Sequence, residues 1–172
     1  MVIYTHEDES LSQSQRMEVS RTMAAEVLLS RSSSVADTIE RLIRKNKNSF
    51  DAALYRFNNQ RLARALVDAR KRDIRIRLVL DQNRFEESKA TQELLESAKL
   101  DFRLVHGRQG PGSKMHHKFA LLDNELVLTG SYNWTLASEE QNYENLLILR
   151  DPEHIEIYRQ EFEALWDDGE EG

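Results

Sequence analysis

Apolar residues recur along this chain with two periods, and the switching between them predicts the architecture. In VADTIERLIRKN, residues 35–46, Val35, Ile39, Leu42 and Ile43 fall on one helical face, with Ser34 and Asp37 placed to form an N-terminal cap. NQRLARALVDARKR, residues 59–72, repeats the pattern through Leu62, Leu66 and Ala69, and ESKATQELLESAK (87–99) and PEHIEIYRQEFEALW (152–166) complete the helical set. Between them lie short apolar runs of strand character: AEVLLS (25–30), FDAALY (50–55), IRIRLVLD (74–81), FRLVH (102–106) and ENLLILRD (144–151). IRIRLVLD alternates and then turns wholly apolar, as a strand does on entering a sheet core. HHKFALL (116–122) and ELVLTG (125–130) flank Asp123-Asn124, which predicts a β-hairpin. Helices alternating with apolar strands predict the α/β class, a mostly parallel or mixed sheet with helices on both faces. Residues 1–22 are polar and without a strong period. They read as a leader, with SQRMEVSRTM (14–23) its one helical candidate, ahead of a single domain over 23–168 and an acidic tail over 169–172.

Composition narrows the class. A chain of 172 residues, 40% apolar and 31% charged, suffices for one globular domain with a real core. No apolar run approaches the roughly 20 residues of a membrane-spanning helix, and no basic segment followed by an apolar stretch marks a secretory signal. The absence of cysteine excludes disulfides and thiolate zinc sites, and these features together fit a cytoplasmic protein. A net charge of −6 argues against a protein that coats itself in nucleic acid. The charge is uneven, however: residues 41–77 are dense in Arg and Lys, whereas 153–172 are acidic. The basic run reads either as a local face for an anionic ligand or as ordinary solvated helix faces and strand ends. The loop HGRQGPGSKM (106–115) is likewise open to two readings, a strand connection built from turns or a mobile basic rim using Arg108 and Lys114.

The hairpin carries the chemistry. On a strand, His116 and Lys118 point to one face and His117 and Phe119 to the other. A two-residue turn would set Leu122 opposite Glu125, Lys118 opposite Thr129 and His116 opposite Ser131, with Asn133 just beyond and Gly130 permitting an unusual backbone path beside them. This set suits a phosphodiester. Histidine serves as nucleophile or as general acid–base near neutral pH, while a lysine and an amide donate to phosphate oxygens as charge builds. No carboxylate cluster accompanies them, so neither a magnesium site nor any cofactor is expected.

His116-x-Lys118-x4-Asp123-x6-Gly130-Ser131-x-Asn133 resembles the HKD motif of the phospholipase D superfamily. Six residue types at fixed spacing arise by chance with a probability on the order of 10⁻⁸ per start position. Looser similarity runs from Glu26 to Trp166, in the order found in the small single-motif endonucleases of the superfamily and their mitochondrial relatives. The resemblance implies an α/β/α sandwich. It implies His116 as nucleophile or acid, Lys118 and Asn133 as holders of phosphate oxygens, and Ser131 as a hydrogen-bonding group in the same pocket. It implies a supporting role for Asp123, off the His–Lys face, and for Glu144 a role in orienting the histidine. Two departures stand out: Asp73 replaces a frequent glycine, which aspartate's tolerance of left-handed geometry allows, and Leu29-Ser30-Arg31 replaces an aromatic-Ser-Pro.

Tyr55, Arg56 and Phe57 end a strand and are rim candidates, as are Arg108 and Lys114; Trp134 reads as a stacking platform or as core, and His117 as a packing residue. The expected activity is a metal-independent phosphodiesterase, an endonuclease on DNA or RNA working through a phosphohistidine, without stable membrane association. In-line displacement needs one group to attack and another to protonate the leaving oxygen, and the chain holds one motif, so a homodimer sharing one site is expected. The alternatives are a cardiolipin- or phospholipid-cleaving phosphodiesterase and a catalytically silent nucleic-acid-binding dimer.

Overall fold

The computed structural model describes residues 25–172; the leader and its helical candidate lie outside the described residues. Among these residues eight strands, numbered in chain order, form one mixed sheet in the order β1-β7-β6-β5-β2-β3-β4-β8. β1 (Ala25–Leu29), β5 (Lys118–Leu122), β6 (Leu126–Gly130) and β7 (Asn145–Leu149) make the antiparallel half. β2 (Ser49–Leu54), β3 (Arg75–Asp81) and β4 (Phe102–Val105) run parallel, joined by helical crossovers. β2 pairs antiparallel with β5 and so joins the halves.

Alternation along the central strands sorts side chains into two cores. Ala52, Leu54, Leu78, Leu80, Ala120 and Leu122 face α1 (Val35–Lys45), α2 (Gln60–Arg70) and α4 (Lys89–Ala98), meeting Ile39, Ile43, Leu62, Leu66 and Leu95. Ala53, Val79, Phe119, Leu121 and Val127 face α6 (Pro152–Asp168), meeting Ile155 and Phe162. The result is the expected α/β/α sandwich. Helix ends follow the local rules: Ser34 Oγ caps α1 by accepting from Asp37 N at 3.0 Å, Asn59 caps α2, and Pro152 opens α6. Asp73 has φ 64°, in the left-handed region, as anticipated.

Several sequence expectations need correction. Two short helices also form: α3 (Gln82–Glu87) follows β3 directly, capped by Asp81, and α5 (Leu136–Glu140) is capped by Thr135. The acidic end is not a free tail: Glu170–Glu171 form β8 and pair with Arg103 and Leu104 of β4. The basic run is paired in place over part of its length. Arg75 and Arg77 pair with buried Asp51, Arg77 also with Glu163, Arg61 with Asp37 and Glu40, Arg44 with Glu40, and Lys71 with Asp68. Acids that lie elsewhere in the chain, or among the run's own residues, neutralise these five cations, while Arg56 and others of the run stay exposed. The hairpin register is also one residue off the two-residue-turn expectation: Leu122 pairs with Leu126 and Phe119 with Thr129. Asp123 (φ 55°) and Asn124 (φ 54°) make a left-handed turn closed by Glu125 N to Leu122 O, and Glu125 is an extra residue before β6. No helix among the described residues is long and apolar enough to cross a membrane.

Candidate active site

The end of the sheet where β2 and β3 finish and β5 begins gathers the motif. His116 and Lys118 share a face, as the strand period requires. Lys118 Nζ lies 3.2 Å from His116 Nδ1 and 3.5 Å from Nε2, and donates to the His116 carbonyl at 2.9 Å. His117 points to the other face, contacting Glu161 of α6 at 3.0 Å and the edge of Phe119. Partial burial of the ring, followed by the charges of Lys118 and Lys114, lowers the His116 pKa below the usual histidine value, which favours the neutral, nucleophilic ring. Burial lowers Lys118 as well, while the Glu144 charge opposes the shift.

Gly130 ends β6 with φ 155°, and a Cβ there would lie 2.3 Å from the Asn145 carbonyl oxygen. This close approach brings β6 and β7 together so that Ser131 Oγ accepts from Asn145 N at 3.1 Å and donates to the Glu144 carboxylate. Asn142 Nδ2 also donates to Glu144, at 3.2 Å. Glu144 is therefore bound to Ser131 and Asn142, with no hydrogen bond to His116; within one chain the expected orienting contact is not made. The Leu29-Ser30-Arg31 segment, where the motif pattern departs, braces the same residue: Ser30 Oγ accepts from Glu144 N at 2.8 Å.

Residues 131–135 then cross to the end of β2, where Asn58 and Asn59 N–H groups both donate to the Trp134 carbonyl at 3.0 Å. Asn133 is carried along, and its Oδ1 is buried without a hydrogen-bond partner among the described residues. Trp134 is 2% exposed and packs on Phe50 and Phe57, itself 1% exposed, so both belong to the core rather than the substrate rim. Arg56 is exposed beside the site and its charge contributes to lowering Lys118. Lys114 is exposed two residues from His116. Arg108 is exposed on the same loop, which is closed by Gly107, Gly110 and Ser113 backbone bonds, and it makes no hydrogen bond or ion pair to a site residue among those described.

Asp123 lies at the opposite end of β5. Its carboxylate accepts from the backbone N–H groups of Lys47 (2.9 Å), Asn48 (2.6 Å) and Ser49 (3.0 Å). It is a structural clamp at the start of β2, not part of the reacting group.

Sequence reasoning missed Asp81 and Arg84. Asp81 is fully buried at the end of β3 and accepts from Met115 N at 2.8 Å, and Arg84 Nε donates to Tyr55 Oη at 2.6 Å. The signal for Asp81 was present: an acid directly after RLVL sits where a strand ends and a cap is needed.

The fold and this constellation define a phospholipase D-like domain, and comparison with known proteins agrees. Residues 39–166 match the family described as cardiolipin synthase, PLD-like domain, so the chain belongs to the phospholipase D superfamily. It is 37% identical over 122 residues to mitochondrial cardiolipin hydrolase of Xenopus laevis, covering 71% of this chain and 56% of that one. It is 36% identical over 119 residues to the Homo sapiens protein of the same name, covering 69% and 46%. The chain thus spans about half the length of the curated relatives it matches. Among solved structures, it is similar to the phospholipase D family member Nuc from Salmonella typhimurium, with 25% identity, a TM-score of 0.77, and coverage of 86% of this chain and 97% of that one.

Proposed function

We propose that the protein is a metal-independent phosphodiesterase acting on nucleic acid, with one active site shared by two copies of the chain. The observation that carries this reading is the His116–Lys118 pair set against the Ser131–Glu144 pair, one set per chain. A neutral His116 ring nitrogen attacks phosphorus. The P–O bond to the leaving group breaks, and the leaving oxygen takes a proton from the second copy's histidine. That histidine, now neutral, deprotonates water; the hydroxide attacks the phosphohistidine and His116 is released. Lys118 and Asn133 donate to the non-bridging oxygens, supplying the positive field that a divalent cation supplies in metallonucleases. Ser131 and Glu144 hold the segment on which Asn133 is carried.

Exposed Arg56 and Lys114 beside the histidine favour a polyanionic backbone as ligand. A lipid phosphodiester is the second reading. It is favoured by the names of the relatives and by exposed Leu29 and Tyr143, the latter next to Glu144. One experiment separates them: incubate the protein in EDTA with labelled single- and double-stranded DNA, RNA, and cardiolipin vesicles, with His116→Asn as control. Cleavage of nucleic acid alone supports the first reading, cleavage of vesicles alone the second, and activity that requires added magnesium overturns the mechanism.

A further inference from the structure

His116 is exposed, and its polar partner among the described residues is Lys118; two further groups bear on its imidazole. The first is Tyr55, one residue past β2 and 7% exposed. Its N–H donates to the His117 carbonyl at 2.8 Å, which fastens its backbone to the motif strand. Its ring centroid lies 4.3 Å from that of the imidazole at an interplanar angle of 55°, and 5.2 Å from Lys118 Nζ. The ring therefore covers one side of the histidine and offers its face to the ammonium at once. The second is Asp81. One of its oxygens accepts from the N–H of Met115, the residue immediately before His116, and the other accepts from Arg84 N at 3.0 Å. Arg84 returns to the site by donating from Nε to Tyr55 Oη. A single buried carboxylate thus fixes the backbone leading into His116 and the start of the helix whose arginine holds the ring beside it.

We propose that Tyr55, tethered by Arg84 and through it by Asp81, is a positioning residue that locks the His116 imidazole against Lys118. A core position alone would be met by phenylalanine; the hydroxyl is used only in the bond to Arg84 among the described residues. Locking matters because an exposed histidine samples several rotamers, and in-line attack succeeds from few of them. The consequence for turnover rests on the phosphodiesterase reading, but the locking itself does not.

The test uses Tyr55→Phe, Arg84→Gln, their double variant and Tyr55→Leu in the full chain, with bis-p-nitrophenyl phosphate as substrate and NMR titration of the His116 ring. Tyr55→Phe and Arg84→Gln should each lower kcat about tenfold with KM within about twofold, and the double variant should be no worse than the poorer single, because both cut one tether. Tyr55→Leu should lower kcat about a hundredfold and move the His116 midpoint up, since the ring's share of desolvation is lost while the charges of Lys118, Lys114, Asp81 and His117 still act on the imidazole. The proposal is overturned if the two single effects multiply, if KM rises at constant kcat, or if Tyr55→Leu leaves the midpoint unmoved. Should the wild type not turn over this diester at all, the activity reading fails by itself. The titration then decides the positioning role: a raised midpoint in Tyr55→Leu upholds it and an unchanged one rejects it.

Discussion

Replacing Asp123 separates the motif's aspartate from its chemistry. Two of the three backbone N–H groups it holds, those of Asn48 and Ser49, go to Oδ1, and that of Lys47 goes to Oδ2. The groups are largely solvent-accessible, so water replaces part of each bond, and a net value of ~1 kcal/mol apiece applies. Asp123→Ala removes all three and puts alanine at φ 55°, which adds about 1 kcal/mol, for a total near ~4 kcal/mol. Asp123→Asn keeps the Oδ1 pair, tolerates the left-handed backbone and turns one acceptor into a donor facing Lys47 N, costing about 1–1.5 kcal/mol. At roughly 2–4 °C per kcal/mol for a chain of this size, Tm should fall by about 8–16 °C for alanine and about 2–6 °C for asparagine. The assay is thermal and urea unfolding beside steady-state kinetics at a temperature where all three proteins are folded. Turnover per folded molecule should stay within about twofold of wild type, because the clamp lies a whole strand away from His116. A loss of tenfold or more in kcat for folded Asp123→Asn with an unchanged Tm would refute the assignment.

Gly130→Ala should lose stability and activity together, since its Cβ must displace the Asn145 carbonyl and part β6 from β7; an active, fully stable variant would contradict the close approach. Arg77→Met should destabilise by about 3 kcal/mol by leaving buried Asp51 with the exposed Arg75 alone, well beyond Glu163→Gln, as urea unfolding would show. Arg77 holds the Glu163 carboxyl below the usual glutamate value of 4.5, so the Glu163 contribution is complete above that pH and is lost as pH falls beneath it; stability curves of wild type and Glu163→Gln should converge in acid. The His116 ring should titrate below 6.5 by NMR, because burial and the neighbouring lysines disfavour its cation. A mixed dimer of wild type and His116→Asn, purified through two tags, should show little turnover; half or more of wild-type activity per dimer would argue against a shared site.

The helices and most strands could be read from the sequence because each buries one clean face: α1 shows Val35, Ile39, Leu42 and Ile43 at helical spacing, and β3 shows RLVL. The His116–Lys118 pair could be read for the same reason, since parity alone puts both on one face. What failed was whatever depends on a distant partner. The hairpin register follows from Asp123 being drawn to the N–H groups before β2, some 75 residues earlier in the chain, and nothing local announces that. Arg77 of the basic run is paired with Glu163, an acid some 86 residues away that the run itself does not reveal. Glu170 and Glu171 carry no strand signal, yet β4 offers them an unpaired edge. Trp134 and Phe57 sit next to chemistry in sequence and inside the core in space. Asp81 and Arg84 act through bonds to Met115 and Tyr55, contacts that only the folded chain brings together.

The four residues between Lys118 and Asp123 measure a length. β5 crosses β2 from Leu54, paired with Lys118, to Phe50, paired with Leu122, and Asp123 N then donates to Ser49 O. The lysine belongs to one rim of the sheet and the aspartate to the other, so their separation is the width of the domain at that point, ~17 Å of extended chain. Identity at positions 119–122 can drift among apolar residues of suitable size, but their number cannot. One inserted residue would turn either the lysine away from the histidine's side or the aspartate away from its amides, and two would overrun the strand beside them. A search for distant members of such a lineage should therefore hold the interval rigid and let its contents vary.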